Sequence, residues 1–214
     1  MNIIMKKINK KILLLTSVIT LIPIIIGIFL WTQLPEMIPT HFGIDGTPDD
    51  WSSKGFTVFG LPFILLGVHL LCIGITSQDP KYENMSDKLF ALVLWICPMV
   101  SLILVISCYG SALGYEMNIT KYVMVVIGIL FVFIGNYLPK CKQNYTMGIK
   151  LPWTLADEEN WNKTHRLAGF IWVAGGVVLV ISSFFNSTWI VGPMALVMVF
   201  VPSIYSFLYY KKHK

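Results

Sequence analysis

Six stretches of 17 to 25 residues contain no Asp, Glu, Lys or Arg: 12–34, 56–77, 89–113, 122–138, 167–185 and 189–210. A bilayer's hydrocarbon core takes about 20 apolar residues per helix. Inside it every backbone polar group must be satisfied within the protein, which leaves helices as the simplest spanning form. The pattern predicts an all-α polytopic membrane protein, a bundle of six transmembrane helices. Composition agrees. Charged residues make up 13% of the chain, against about 25% in soluble domains, and the mean hydropathy is +0.71. Such a chain cannot cover itself against water, and the lipid bilayer is its first partner.

The basic residues set the orientation, because Lys and Arg concentrate in cytoplasmic loops. With the N-terminus inside, the inner segments hold 14 of the 16 basic residues, and only Lys54 and Lys121 lie outside. Lys6, Lys7, Lys10 and Lys11 precede the first span without the cleavage site of a signal peptide. Outer acids are Glu36, Asp45, Asp49, Asp50 and Glu116, so the outer side carries a net −3 and the inner side +8. Both termini are expected in the cytoplasm.

The net charge of +5 does not point to nucleic acid. The lysines sit in clusters between apolar runs, and one Arg is too few for a base-reading surface. Three of the four cysteines, Cys72, Cys97 and Cys108, fall inside apolar runs, Cys141 lies in an inner loop, and no CxxC occurs. They read as small apolar residues and one reduced thiol. No Ser/His/Asp arrangement, HExxH, P-loop or GxGxxG is present, and no Asp lies in a span. The expectation is a protein that is not an enzyme, with no cofactor and no metal.

Two long loops hold the remaining chemistry. The outer loop, 35–55, contains Pro35, Pro39, Gly43, Gly46 and Pro48, with His41, Asp45, Asp49 and Asp50 close together. Histidine with carboxylates can hold a divalent ion, but turn chemistry and capping of the following helix by Asp49 or Asp50 explain the same residues. The spacing matches no metal motif. The inner loop, 139–166, contains Thr154 followed three residues later by Asp157, a capping pattern that predicts a helix from about Leu155 running into the fifth span. On it Trp161, Thr164, His165 and Ala168 share a face. That helix reads either as an interfacial anchor or as a docking or gating site using Lys150, Trp153, His165 and Arg166. Of the Asp, Glu, Lys, Arg and His residues only His69 lies within a predicted span, and such residues are functional candidates. Its helix carries Gly60, Gly67 and Gly74 at seven-residue spacing, which predicts a smooth stripe for close helix packing.

Residues 135–166, reading GNYLPKCKQNYTMGIKLPWTLADEENWNKTHR, resemble the signature of the SdpI immunity-protein family. Residues 34–54, LPEMIPTHFGIDGTPDDWSSK, resemble a small domain of unknown function often fused ahead of it. One departure is Lys150-Leu151, where the family more often has Arg-Thr. The resemblance implies an inner marked set of Asn136, Pro139, Asn144, Gly148, Pro152, Trp153, Thr154, Trp161, His165 and Arg166, with Lys150 beside them at the position that departs. Its outer set is Pro35, Pro39, His41, Gly46, Asp49, Trp51 and Lys54. It divides the chain into an N-terminal membrane region, 1–88, and an SdpI-like region, 89–214. The role it implies is immunity to a secreted membrane-active peptide toxin, with a small transcriptional repressor captured at the membrane and no direct contact with nucleic acid.

The residues themselves leave other readings open. Leu34-Pro35 followed by Gly43-Ile44-Asp45, and Leu138-Pro139 followed by Gly148-Ile149-Lys150, are matched segments on opposite sides. They fit a transporter or channel of inverted 3+3 repeats. A membrane enzyme using His41 with the outer carboxylates is a third reading.

Overall fold

The structure is a computed structural model and describes residues 9–85, 87–115 and 118–213. Lys6, Lys7, Glu116 and Lys214, counted in the charge asymmetry, lie outside the described residues. Helix α1 spans Lys10–Phe29, and strands β1 (Met37–Phe42) and β2 (Pro48–Ser53) follow it. A π-helical turn, Phe56–Gly60, leads into α2, Leu61–Ser77, and α3 spans Asp87–Ala112. Then come α4 (Ile119–Tyr137), the short α5 (Pro152–Ala156), α6 (Glu158–Phe184) and α7 (Val191–His213).

Among the described residues six helices are long and apolar enough to cross a membrane, and only 17 to 39% of each span's central window is buried within the protein. The remaining apolar surface needs lipid, so the chain is an all-α polytopic membrane protein apart from one small hairpin. The chain forms two compact units. One holds 1–77 and 90–120, the other 78–89 and 121–214.

In the first unit the core is Leu34, Ile38, Val58, Val105, Cys108 and Tyr109. Hydroxyls knit its helices: Thr20 donates to the Thr16 carbonyl, Ser101 to the Thr20 carbonyl (2.8 Å) and Tyr109 to the Pro23 carbonyl. The outer loop is not the turn-rich lead-in to a helix that its prolines and aspartates suggested. It is an antiparallel hairpin pairing Ile38 with Ser52 and Pro39 with Trp51, with a register shift around His41. Asp49 and Asp50 therefore stand on a strand and cap no helix. Helix α1 also ends at Phe29, short of the predicted residue 34; the residues after it form turns, and Lys54 bonds the carbonyls of Trp31 and Leu34.

In the second unit the tight contact is between α4 and α6. A Cβ at Gly128 would meet the Gly176 carbonyl at 2.7 Å, and one at Gly135 would meet the Gly169 carbonyl at 2.9 Å. Close backbone approach between small residues is how spans pack without a hydrophobic drive. The stripe predicted on α2 has no such role. Among the described residues nothing lies within 4 Å of a Cβ at Gly67 or Gly74, and the nearest atoms to one at Gly60 are those of Phe56, four residues back. Proline in a helix frees the carbonyl four residues back. For Pro202 that carbonyl is Met198's, and the Trp172 indole donates to it at 3.1 Å. Asn160 ties α6 to α7: its Nδ2 donates to the Ser206 carbonyl, and its Oδ1 accepts from Ser206 and Thr164.

Candidate functional site

The hairpin brings His41 and Asp49 together, Nδ1 to Oδ1 at 2.5 Å, both exposed. Asp45 turns away and accepts from the Thr47 hydroxyl and amide, at 2.8 and 3.1 Å. Those hydrogen bonds, the hydroxyl's first, hold its carboxyl below the usual aspartate value. Asp50 accepts from the Trp51 amide at 2.8 Å. Among the described residues no group of three or more His, Cys, Asp or Glu is arranged to hold a metal ion. Gly46 has φ +82°, the left-handed conformation the tip of this turn needs.

Lys54 differs from its neighbours in the loop. Its side chain is 9% exposed, its Nζ donates to the carbonyls of Trp31 (3.2 Å) and Leu34 (2.8 Å), and it pairs with Glu36. A cation at these carbonyls just past α1 satisfies groups a helix end leaves open. Trp51 is 47% exposed on β2.

His69 is fully buried, with Nε2 3.1 Å from the Thr16 hydroxyl. That hydroxyl already donates to the Ile12 or Leu13 carbonyl. Nε2 therefore carries the hydrogen, and Nδ1 faces inward with no partner among the described residues. A narrow cleft in the same unit is lined by Pro23, Thr57, Pro62, Ser101, Cys108 and Tyr109, among others, and His69 is not among its lining residues.

The inner loop folds on itself. Asn144 closes a turn by accepting from the amides of Thr146 and Met147, while its Nδ2 donates to the Lys142 carbonyl and the Cys141 sulfur. The Trp161 indole donates to the Cys141 carbonyl at 2.7 Å. The Ile149 amide donates to His165 Nε2 at 2.9 Å. His165 Nδ1 therefore holds the hydrogen and donates to the Trp161 carbonyl. Trp161 and His165 stack with centroids 4.0 Å apart. Gly148, at φ +101°, passes so close to His165 that a Cβ would collide with the ring.

Thr154 does not cap a helix running into the fifth span, as its spacing to Asp157 suggested. Its hydroxyl accepts from the Leu151 amide and lies 2.8 Å from the Ile149 carbonyl. Asp157 is instead the N-cap of α6, accepting from the Glu159 amide, and its extended backbone separates α5 from α6. Trp153 packs on Phe207 and Tyr210 of α7.

Three residues that the loop motifs did not mark hold this fold together. Asp79, 7% exposed, accepts from the amides of Lys81 (2.7 Å) and Tyr145 (2.9 Å) and from the Thr146 hydroxyl. Lys81 bonds Gln143, whose Nε2 donates to the carbonyls of Thr154 and Leu155. Asn84 donates to the Gln143 carbonyl. An acid followed by a turn just after a span was the available signal for Asp79. Of the inner set, Asn136, Pro139, Lys150, Pro152 and Arg166 are exposed. Lys150 donates to the Thr146 carbonyl. Cys141 is buried, and burial raises its thiol above the usual value.

Residues 140–206 match the SdpI/YfhL protein family model, and 18–66 match a domain of unknown function, DUF1648. The chain is 28% identical over 206 residues to the immunity protein SdpI of Bacillus subtilis strain 168, covering 93% of this chain and 96% of that protein. No solved structure matches. The inner loop, α6 and most of α7 lie inside the SdpI/YfhL family match and the hairpin inside the segment ahead of it, so the chain is similar to that family over these segments and is a multi-pass protein of the bacterial cell membrane.

Proposed function

We propose that the chain confers immunity to a secreted, membrane-active peptide toxin, meeting the peptide at the outer hairpin and reporting at the inner face. The end-to-end similarity to a protein named for immunity carries this reading. The hairpin supports its outer half. Asp45, Asp49 and Asp50 are exposed beside Trp51, on the side opposite the lysine clusters. An acidic, aromatic surface attracts a cationic or amphipathic peptide and raises its encounter rate. The finer part, capture of a small transcriptional repressor, falls to the exposed inner residues Lys142, Lys150, Pro152 and Arg166.

The test is survival of a peptide-sensitive bacterium expressing the chain. Asp45→Asn with Asp49→Asn keeps side-chain acceptors but removes two outer charges. It should weaken protection, more so at low salt, where attraction is less screened. Arg166→Ala should leave protection against acute exposure and abolish induction of an immunity reporter. Undiminished killing in cells that carry the wild-type chain in their membrane, across a panel of cationic peptides, would sink the immunity reading. A transporter or channel remains the second reading, favoured by three spans in each compact unit. It requires substrate-driven flux in vesicles.

A further inference from the structure

The hairpin is the whole sheet: among the described residues β1 pairs only with β2. Each strand therefore has one unpaired edge, and the hydrogen bonds say which groups face it. The Lys54 amide donates to the Glu36 carbonyl at 2.8 Å, two residues along from the Ile38–Ser52 pair. Bonded and non-bonded pairs alternate in an antiparallel ladder. Glu36–Lys54 and Ile38–Ser52 are then bonded pairs, while Met37–Ser53 and Pro39–Trp51 turn their amides and carbonyls outward. Two observations agree. Pro39 has no N–H to give across the ladder, and the Trp51 amide is held by the neighbouring Asp50 carboxylate.

The two edges differ. On β1, Ile38 and Pro39 are buried, Pro39 offers no donor, and the register breaks near His41. On β2, Asp49, Asp50, Trp51 and Ser53 are all exposed. Open edges are normally blunted because they pair with other chains. Here the blunting is a single carboxylate on a single amide.

We infer that the outer edge of β2 is a strand-addition site for an extended cationic peptide. This deepens the immunity reading and rests on it. The incoming strand's carbonyl replaces Asp50 on the Trp51 amide, and the Trp51 carbonyl and Ser53 amide complete the new ladder. Asp50, released, pairs with a Lys or Arg of the peptide. Main-chain bonds supply affinity and alternate side chains supply selectivity, as in other strand-addition complexes. The exposed Trp51 ring offers a face for an aliphatic or cationic side chain.

The experiment uses the full chain in phosphatidylcholine nanodiscs and a ten-residue peptide of alternating Lys and Val. Three forms are compared: the plain peptide, the same peptide N-methylated at alternate residues, and a helix-stapled peptide of equal charge. Binding is read by Trp51 fluorescence, with Trp51→Phe as control, and by amide exchange at Trp51 and Ser53. The plain peptide should bind and slow exchange at both amides. N-methylation on the pairing side, which removes two or three main-chain bonds, should weaken binding by about tenfold or more, and the stapled peptide should bind no better. Asp50→Asn keeps an acceptor on the Trp51 amide but loses the charge, and should weaken the plain peptide. Equal binding by all three forms would overturn strand addition and leave charge attraction, and the immunity reading, intact. No binding of any form, with wild-type protection retained in cells, would overturn the edge as the site and leave immunity standing.

Discussion

Replacing Asp79 with Asn should loosen the inner loop, and Cys141 reports it. The Asp79 carboxylate accepts three hydrogen bonds, two on one oxygen and one on the other. Asparagine has one acceptor oxygen, so it loses at least one of them and turns an NH₂ toward a donor. A hydrogen bond to a charged group is worth about 1.5–3 kcal/mol, and a stranded buried donor costs a similar amount. The loop should therefore lose about 3 kcal/mol against opening, roughly a hundredfold in the opening equilibrium. Cys141 is 5% exposed, so maleimide reaches it mainly through opened states. In a Cys72→Ser background its labelling rate should rise by about two orders of magnitude in Asp79→Asn. Losing the nearby charge also eases ionisation of the thiol, since Asp79 is one of the groups raising its pKa. That effect shifts the pH midpoint of labelling, whereas opening multiplies the rate at every pH, so a full pH profile separates them. A rate within twofold of wild type at all pH values would refute the argument that Asp79 staples the loop.

Other outcomes follow from the same contacts. Ile44→Cys, at the exposed hairpin tip, should react with an impermeant maleimide on intact cells, whereas Lys142→Cys should react only after permeabilisation. These sites suit the topology test better than Gly46, where φ +82° and Thr120 oppose a side chain, or the buried Cys141. Gly135→Val should lower the midpoint of thermal unfolding in detergent by several degrees, because its side chain meets the Gly169 carbonyl and the Val173 amide. Gly67→Ala, in open space, should be neutral or stabilising by up to about 1 kcal/mol.

The six spans were legible because a bilayer demands apolar length, and hydropathy measures it directly. Helix ends were less so. Residues 30–34 carry no charge, so the run reads on past the helix end, and the group that bonds the Leu34 carbonyl is Lys54, 20 residues further along the chain. The hairpin was hidden because MIPTHF and PDDWSS lack strict alternation and each contains a proline. Asp49 and Asp50 look the same before a helix as on a strand. The glycine spacing was misleading for a related reason. Gly60, Gly67 and Gly74 repeat on one helix that does not use them, while the working glycines are divided between α4 and α6. The inner motif was legible as a unit, and Trp161, Thr164, His165 and Ala168 are all buried on one face of α6. What the string of letters does not separate is a residue that builds the loop, such as Thr154, from one left exposed, such as Arg166.

The two long loops spend their polar groups differently, and this bears on how a signal could cross. Outside, carboxylates remain exposed and available to a partner. Inside, Asn144, Thr154, Trp161 and His165 bond one another's loop, so the motif can respond only by opening. Chain connectivity supplies a path between them. Strand β2 ends at Ser53, the chain is helical from Phe56 through Ser77, and Asp79 stands two residues beyond. A shift of that helix on hairpin occupancy would be felt first at the Asp79 bonds. Coupling of this kind requires both loops to bias one two-state element. The prediction is that a saturating concentration of the alternating Lys/Val peptide changes the Cys141 labelling rate severalfold in nanodiscs. In Asp79→Asn, where the loop is already open, the peptide should have no further effect. The refuting result is peptide bound at the hairpin with Cys141 labelling constant in both proteins. The hairpin and the inner motif would then act independently, and a report across the membrane would need another route.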